Sequence, residues 1–219
     1  MALTCNAGYN KIKQFNATTT KEDVINAYAE WGPSYDNILR DIAYIGPSVG
    51  AKLLDQKLKE FSYKNDVEIF DLGCGTGLVG EQLYKRGYKN IDGMDLSEHM
   101  LQVCKDKGVY RSLHKGSMGS ENSTDLGVPA DKYDAVICVG VFTAGHVKGK
   151  GLDDFIYSVK KGGLIVFNIN DNVSNDPHYE FDKKMNELTK HRKWEQLFKY
   201  YEPKYVSDRG ANFYVYRKL

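Results

Sequence analysis

Residues 67–77 read VEIFDLGCGTG: six residues of strand character, Val67 to Leu72, run directly into Gly73, Gly75 and Gly77, and the spacing from Leu78 to Arg86 then predicts a helix. Glycines between a strand and a helix mark a turn where the backbone bends tightly and a ligand approaches without meeting a Cβ. The free N–H groups at the start of the helix favour a negatively charged group there. Asp95 lies 24 residues after Asp71, at the end of the next predicted strand. A carboxylate in that place accepts from both hydroxyls of a ribose, so the two features point to an adenosine-containing ligand.

Outward from this turn, strands and helices alternate. NIDGMDL (90–96) reads as the second strand, followed by a helix from about Ser97 to Lys107 and a short third strand near Val109–Leu113. YDAVICVG (133–140) and GLIVFNIN (163–170) read as the fourth and fifth strands, with a helix over Leu152 to Val159 ended by Lys161-Gly162-Gly163. Such alternation implies a mostly parallel sheet covered on both faces, with right-handed crossovers placing the glycine turn at the carboxyl edge. A polar helix from about Tyr179 to Trp194 leads into FKYYEPKYV (198–206) and NFYVYRK (212–218). Joined by Ser207-Asp208-Arg209-Gly210, these read as a closing hairpin that gives the sheet an antiparallel edge. Ahead of the sheet, Thr19 or Thr20 caps a helix carrying Val24, Ala27, Tyr28, Trp31 and Tyr35, interrupted at Gly32-Pro33, and another helix spans about Ser48 to Phe61. The expectation is one domain over 1–219, with 1–62 as an N-terminal helical cover and 63–219 as the sheet-containing core.

Composition bounds the function. In 219 residues, 30 Lys and Arg balance 29 Asp and Glu, which gives no reason to expect a nucleic-acid surface. No apolar run approaches the length of a membrane span or a signal peptide, so the chain reads as cytoplasmic, without a membrane partner. Cys5, Cys74, Cys104 and Cys138 form no CxxC pair, and the five histidines have no ligand spacing, so no metal site is expected. The 16 tyrosines supply rings with polar tips, suited to core edges and pocket walls.

Gly75 to Gly80 also matches GxGxxG, with Asp95 at dinucleotide spacing, which raises a nicotinamide-dependent oxidoreductase as an alternative. The register disfavours it: Gly73 already occupies the turn, and Gly80 falls inside the helix as a close-packing glycine. The segments FDLGCGTG, IDGMDLS and YDAVICVG resemble the signature segments of the class I S-adenosylmethionine-dependent methyltransferases, in order and spacing across about residues 67–170. AYAEWGPSYDNIL near the N-terminus, with KKGGLIVFNIN, KYYEPKYV and FYVYRK later, resembles the Williams-Beuren-region methyltransferase-like group. The resemblance implies an α/β, Rossmann-like three-layer sandwich: a seven-stranded sheet of order 3-2-1-4-5-7-6 with strand 7 antiparallel.

It also implies residue roles. Asp71 organises the turn and approaches the methionine amino group, Gly73, Cys74, Gly75 and Gly77 cradle the cofactor, and Asp95 holds the ribose. Leu96 and Met100 border the adenine, joined by Ser117 and Met118 after the third strand, and Val139 and Gly140 lie beside the methionine portion. Tyr28, Trp31 and Tyr35 cover the cofactor from the N-terminal helix. The cofactor implied is S-adenosyl-L-methionine, with S-adenosyl-L-homocysteine as product.

Methyl transfer from a sulfonium is an in-line displacement, so alignment and exclusion of water matter most, and a base is needed only for a protonated nucleophile. His146, after the fourth strand, is the candidate base. Tyr28, Phe142, His146, Asn168, Asn170 and Tyr201 are candidates for acceptor binding. With no appended recognition domain, basic block or NPPY or DPPY tetrapeptide, the expected acceptor is the nitrogen, oxygen or sulfur of a small molecule. A non-catalytic adenosylmethionine-binding protein is the other alternative left open, and in either case a monomer or homodimer is expected.

Overall fold

The computed structural model describes residues 7–207 and 209–219, and of Pro33 the backbone alone; Cys5 lies outside these residues. The chain begins with α1 (Ala7–Ile12), α2 (Lys21–Trp31), α3 (Tyr35–Asp41) and α4 (Gly46–Glu60). Thr20 caps α2 in a reciprocal pair: its hydroxyl accepts from Asp23 N at 3.1 Å, and Asp23 accepts from Thr20 N at 3.0 Å. A 3-10 turn over Gly32–Ser34 separates α2 from α3, as the Gly-Pro step predicts. The His99 ring lies against Gly32, where a Cβ would come within 2.0 Å of it and displace this exposed side chain.

The core then runs β1 (Ile69–Leu72), α5 (Leu78–Lys85), β2 (Ile91–Asp95), α6 (Glu98–Asp106), β3 (Ser112–Lys115), β4 (Tyr133–Phe142), α7 (Leu152–Ser158) and β5 (Val159–Asn170). It closes with α8 (Asp171–Ser174), α9 (Phe181–Lys190), β6 (Trp194–Val206) and β7 (Arg209–Lys218). The sheet order is β3-β2-β1-β4-β5-β7-β6, and only β7 runs antiparallel to its neighbours. Fold class, strand order and antiparallel edge are those expected.

Strand alternation divides the core between the two faces. In β4, Val136 and Cys138 join Phe70, Leu72, Ile165 and Phe167 under α7 and α9, whereas Ala135, Ile137 and Val139 join Ile69, Ile91 and Val166 under α4 and α5. Each fully buried Val, Leu, Ile or Phe among them contributes roughly 1.5–3 kcal/mol.

Beyond shifts of one or two residues, four boundaries differ from the sequence reading. The third strand starts at Ser112 rather than Val109, because Tyr110 leaves the ladder to plug the space beneath the glycine turn. β5 starts at Val159, and the Lys-Lys-Gly-Gly stretch is a bulge within it, the register stepping from Tyr133↔Val159 to Ala135↔Leu164. The late helix is shorter than Tyr179–Trp194: Glu180 (φ +54°) and Arg192 (φ +52°) stop it at both ends, and Trp194 starts β6. β7 begins at Arg209, which tightens the hairpin turn around Ser207 (φ +50°); Asp208 lies outside the described residues.

Candidate active site

The glycine turn leaves β1 at the carboxyl edge of the sheet. Gly73, Gly75 and Gly77 all have left-handed backbone, with φ of +74°, +53° and +91°. A Cβ on Gly73 would lie 2.3 Å from Val141, whereas one on Gly75 would meet nothing within 4 Å. Gly73 is therefore demanded by packing, and Gly75 faces open space. The N–H groups of Gly73 and Cys74 donate to Met94 O at 2.8 and 2.9 Å, tying the turn to the end of β2.

Asp95 stands beside Gly75. Its Oδ2 accepts from Gly75 N at 2.9 Å and its Oδ1 from Ser97 N at 2.8 Å, so the carboxylate is fixed while still lining the cavity. Burial raises its pKa, opposed by the backbone N–H groups of Ser97, Gly75 and Leu96. Asp71 is fully buried behind the turn, accepting from Tyr110 Oη at 2.6 Å, and its Oδ1 has no partner among the described residues. Burial pushes its carboxyl up to about 7, with the Tyr110 hydrogen bond pulling down and the charge of Asp95 adding to the rise. Tyr110 Oη also accepts from Gly80 N at 3.0 Å, and a Cβ on Gly80 would lie 2.3 Å from the tyrosine ring, so Gly80 is a packing glycine.

A cavity of about 1080 Å³ opens from the turn and is roofed by the N-terminal helices. It brings together Tyr28, Trp31, Tyr35, Gly73, Gly75, Asp95, Leu96, Met100, Ser117, Met118, Val139, Gly140, His146 and Asn170 from the sequence reading. In the roof, Trp31 packs edge-on against Tyr35 at 4.5 Å between ring centroids and parallel to Tyr28 at 5.9 Å. His146 Nδ1 bonds Ala144 O at 2.8 Å, and its Nε2 lies 2.9 Å from Tyr28 Oη. A carbonyl only accepts, so Nδ1 carries the proton and Nε2 accepts from the tyrosine. Burial lowers the pKa of His146, opposed by the bond to Ala144, and burial raises that of Tyr28. The histidine is therefore neutral near pH 7, with its lone pair directed at a hydroxyl on the cavity wall.

Six expected site residues fall outside the cavity wall. Asp71 lies behind the turn, while Cys74 and Gly77 supply its shape, Cys74 as a buried thiol and Gly77 as the cap of α5. Phe142 belongs to the core, packed against Phe155, Phe167 and Phe181, which corrects its expected contact with an acceptor. Asn168 is buried in a support role, accepting from Gly140 N at 2.9 Å and donating to Asn170 at 2.8 Å. Tyr201 is half exposed on β6 and donates to Asp171 at 2.8 Å, so its expected acceptor contact is corrected too.

The sequence reading missed Tyr9, Phe15, Lys21 and Tyr44, all of which line the cavity. Lys21 Nζ donates to Ser117 Oγ at 2.6 Å, bridging α2 to the loop after β3 across 96 positions, a link without any local sequence signal. Among the described residues no cluster of His, Cys, Asp or Glu is arranged to hold a metal, and no helix is long and apolar enough to cross a membrane.

A family model described as a methyltransferase domain matches residues 69–163. Human methyltransferase-like protein 27 is 29% identical over 174 residues, which cover 79% of this chain and 69% of that protein. The ubiquinone/menaquinone biosynthesis C-methyltransferase UbiE of Campylobacter jejuni serotype O:6 is 28% identical over 153 residues, 67% of this chain and 63% of its own length. An S-adenosylmethionine-dependent methyltransferase structure from Clostridium acetobutylicum superposes with a TM-score of 0.63 at 18% identity, covering 88% of this chain and 99% of that one. With a methyltransferase-domain model across its glycine turn and methyltransferases among its relatives, this chain is a methyltransferase with the fold of the S-adenosylmethionine-dependent enzymes. Another structure with the same fold, a complex between the Haloferax volcanii Trm112 methyltransferase activator and a putative methyltransferase, gives a TM-score of 0.64 at 14% identity, over 89% of this chain and 97% of that one.

The cofactor of the methyltransferase is S-adenosylmethionine, which supplies an electrophilic methyl group on a sulfonium and leaves as S-adenosylhomocysteine. The site fits it on three counts: open space at Gly75, a fixed carboxylate at Asp95 and an unpartnered buried oxygen on Asp71. The cavity volume exceeds what many single ligands need, which leaves room for an acceptor beside the donor.

Proposed function

We propose that this methyltransferase methylates a small, flat acceptor bearing an ionisable hydroxyl or amine, with Tyr28 and His146 taking its proton. The single observation that carries the reading is the Tyr28–His146–Ala144 hydrogen-bond chain in a wall that also holds Tyr9, Phe15 and Trp31. Aromatic walls take flat acceptors by ring contact. Asp95 holds the ribose, Leu96, Met100, Ser117 and Met118 border the adenine, and Gly73, Val139 and Gly140 flank the methionine portion, with the unpartnered Oδ1 of Asp71, behind the turn, as the acceptor for its amino group. Tyr28 Oη takes the acceptor's proton as its own passes to His146 Nε2, and the roof excludes water from the displacement. Cover and core act as one domain in this reading, because they share the cavity wall.

A second reading is methylation at a ring carbon, favoured by the C-methyltransferase relative from Campylobacter jejuni. The same proton relay serves it: an aromatic hydroxyl that loses its proton makes its ring carbons nucleophilic, and after the methyl transfers to carbon the proton displaced from that carbon returns the hydroxyl and the aromatic ring. A panel of phenols, quinols, aromatic amines and thiols with radiolabelled methyl donor tests both readings, and product structure separates oxygen from carbon. Turnover confined to aliphatic acids or to a macromolecular fraction would overturn them.

With an acceptor in hand, His146→Ala is expected to lower kcat about 100-fold, the lower end for loss of a general base. The wild-type rate should fall as pH drops through the depressed pKa of His146, below the usual 6.5, because the base must be unprotonated. That acid limb should vanish in the variant. An unchanged pH profile would remove His146 from the chemistry.

A further inference from the structure

Asp36 sits where the N-terminal cover meets the cofactor turn. Its Oδ1 accepts from the Thr76 hydroxyl at 2.6 Å, and its Oδ2 from Lys107 Nζ at 2.7 Å, which also reaches Glu81 at 3.3 Å. Thr76 lies between Gly75 and Gly77 and is 1% exposed, so without Asp36 its hydroxyl would be buried unpaired. Lys107 follows α6 and Glu81 lies in α5, so the elements flanking the turn converge on one carboxylate of the cover. Past the far end of α3, Ser207 N donates to Ile42 O and Ile45 N to Tyr205 O, both at 3.1 Å. The segment is thus pinned at the cofactor turn and at the end of β6, with Tyr35 adjacent to Asp36 and Tyr28 and Trp31 one helix back.

We propose that Asp36 is a positioning residue that couples the donor turn to the acceptor wall, so that occupancy of the turn sets the placement of Tyr28, Trp31 and Tyr35. This rests on the reading that the cavity takes S-adenosylmethionine. Among the described residues the three rings have no hydrogen bond to the turn, and Asp36, next to Tyr35, supplies a side-chain link to it through the Thr76 hydroxyl. Breaking it removes the roof's link to the turn while leaving Asp95, Gly75 and the roof's other ties, such as Tyr28–His146, in place.

The test uses the full chain with S-adenosylhomocysteine as probe, comparing wild type, Asp36→Ala, Thr76→Val and Thr76→Ser. Affinity is read by calorimetry, release rate by stopped-flow tryptophan fluorescence, and roof order by hydrogen exchange over residues 21–41. Thr76→Val and Asp36→Ala are expected to bind about tenfold more weakly and release about tenfold faster, the effect of one charge-assisted hydrogen bond, with faster exchange in the roof of the bound protein. Thr76→Ser keeps the hydroxyl and should match wild type. Should Asp36→Ala fail to fold, Thr76→Val carries the test. If wild type does not bind the probe, the cofactor reading falls and this proposal with it. If wild type binds and Thr76→Val releases the probe at the same rate, whatever its melting temperature, the coupling alone is overturned.

Discussion

Asp95→Ala is expected to weaken binding of S-adenosylmethionine and S-adenosylhomocysteine about 100-fold or more. In the structure the carboxylate is held by Gly75 N and Ser97 N and faces the cavity. Each hydrogen bond to a charged group contributes about 1.5–3 kcal/mol, and a ribose offers two hydroxyls, so losing both exceeds a hundredfold. Asp95→Asn retains acceptor capacity without the charge and should fall between. Titration calorimetry checks the affinities, and thermal unfolding checks that the turn survives. Affinity unchanged in Asp95→Ala would move the ribose elsewhere.

Gly75→Val is expected to separate binding from folding. A left-handed φ of +53° costs a branched residue on the order of 1–2 kcal/mol, and because a Cβ there meets nothing within 4 Å, no clash adds to it. The melting temperature should drop by roughly 2–8 °C for a chain of this size. Donor binding should disappear if, as proposed, the cofactor approaches the backbone in the open space beside Gly75. Gly73→Val gives the contrast: its Cβ would lie 2.3 Å from Val141, so folding and binding should both suffer. Full affinity in Gly75→Val would mean that the space is not the cofactor's.

The fold was legible in the sequence because each strand carries its own signal. An apolar run followed by glycines or an acid, as in IFDL–Gly73 and IDGMD–Leu96, reports a buried parallel strand and its turn together. Boundaries failed where tertiary contacts override local pattern. Tyr110 has strand propensity, but its hydroxyl serves Asp71 and Gly80, and Trp194 continues an apparent helix yet stacks on Tyr216 at 4.0 Å in the sheet.

The site divides the same way. Gly73, Gly75 and Asp95 lie within one strand–turn–helix–strand unit, where spacing alone places them. The Tyr28–His146 bond spans 118 positions and the Thr76–Asp36 bond 40, and no periodicity encodes either. Phe142 and Tyr201 show the converse error, since an aromatic near the carboxyl edge reads alike whether it faces the cavity, the core or solvent.

The most direct test of the central claim is calorimetric titration of the purified chain with S-adenosylmethionine, S-adenosylhomocysteine and NADH in parallel. Micromolar binding of both sulfur nucleotides and none of NADH is the expected result. Binding of NADH alone would contradict it, and would assign Gly75, Gly80 and Asp95 to a dinucleotide instead.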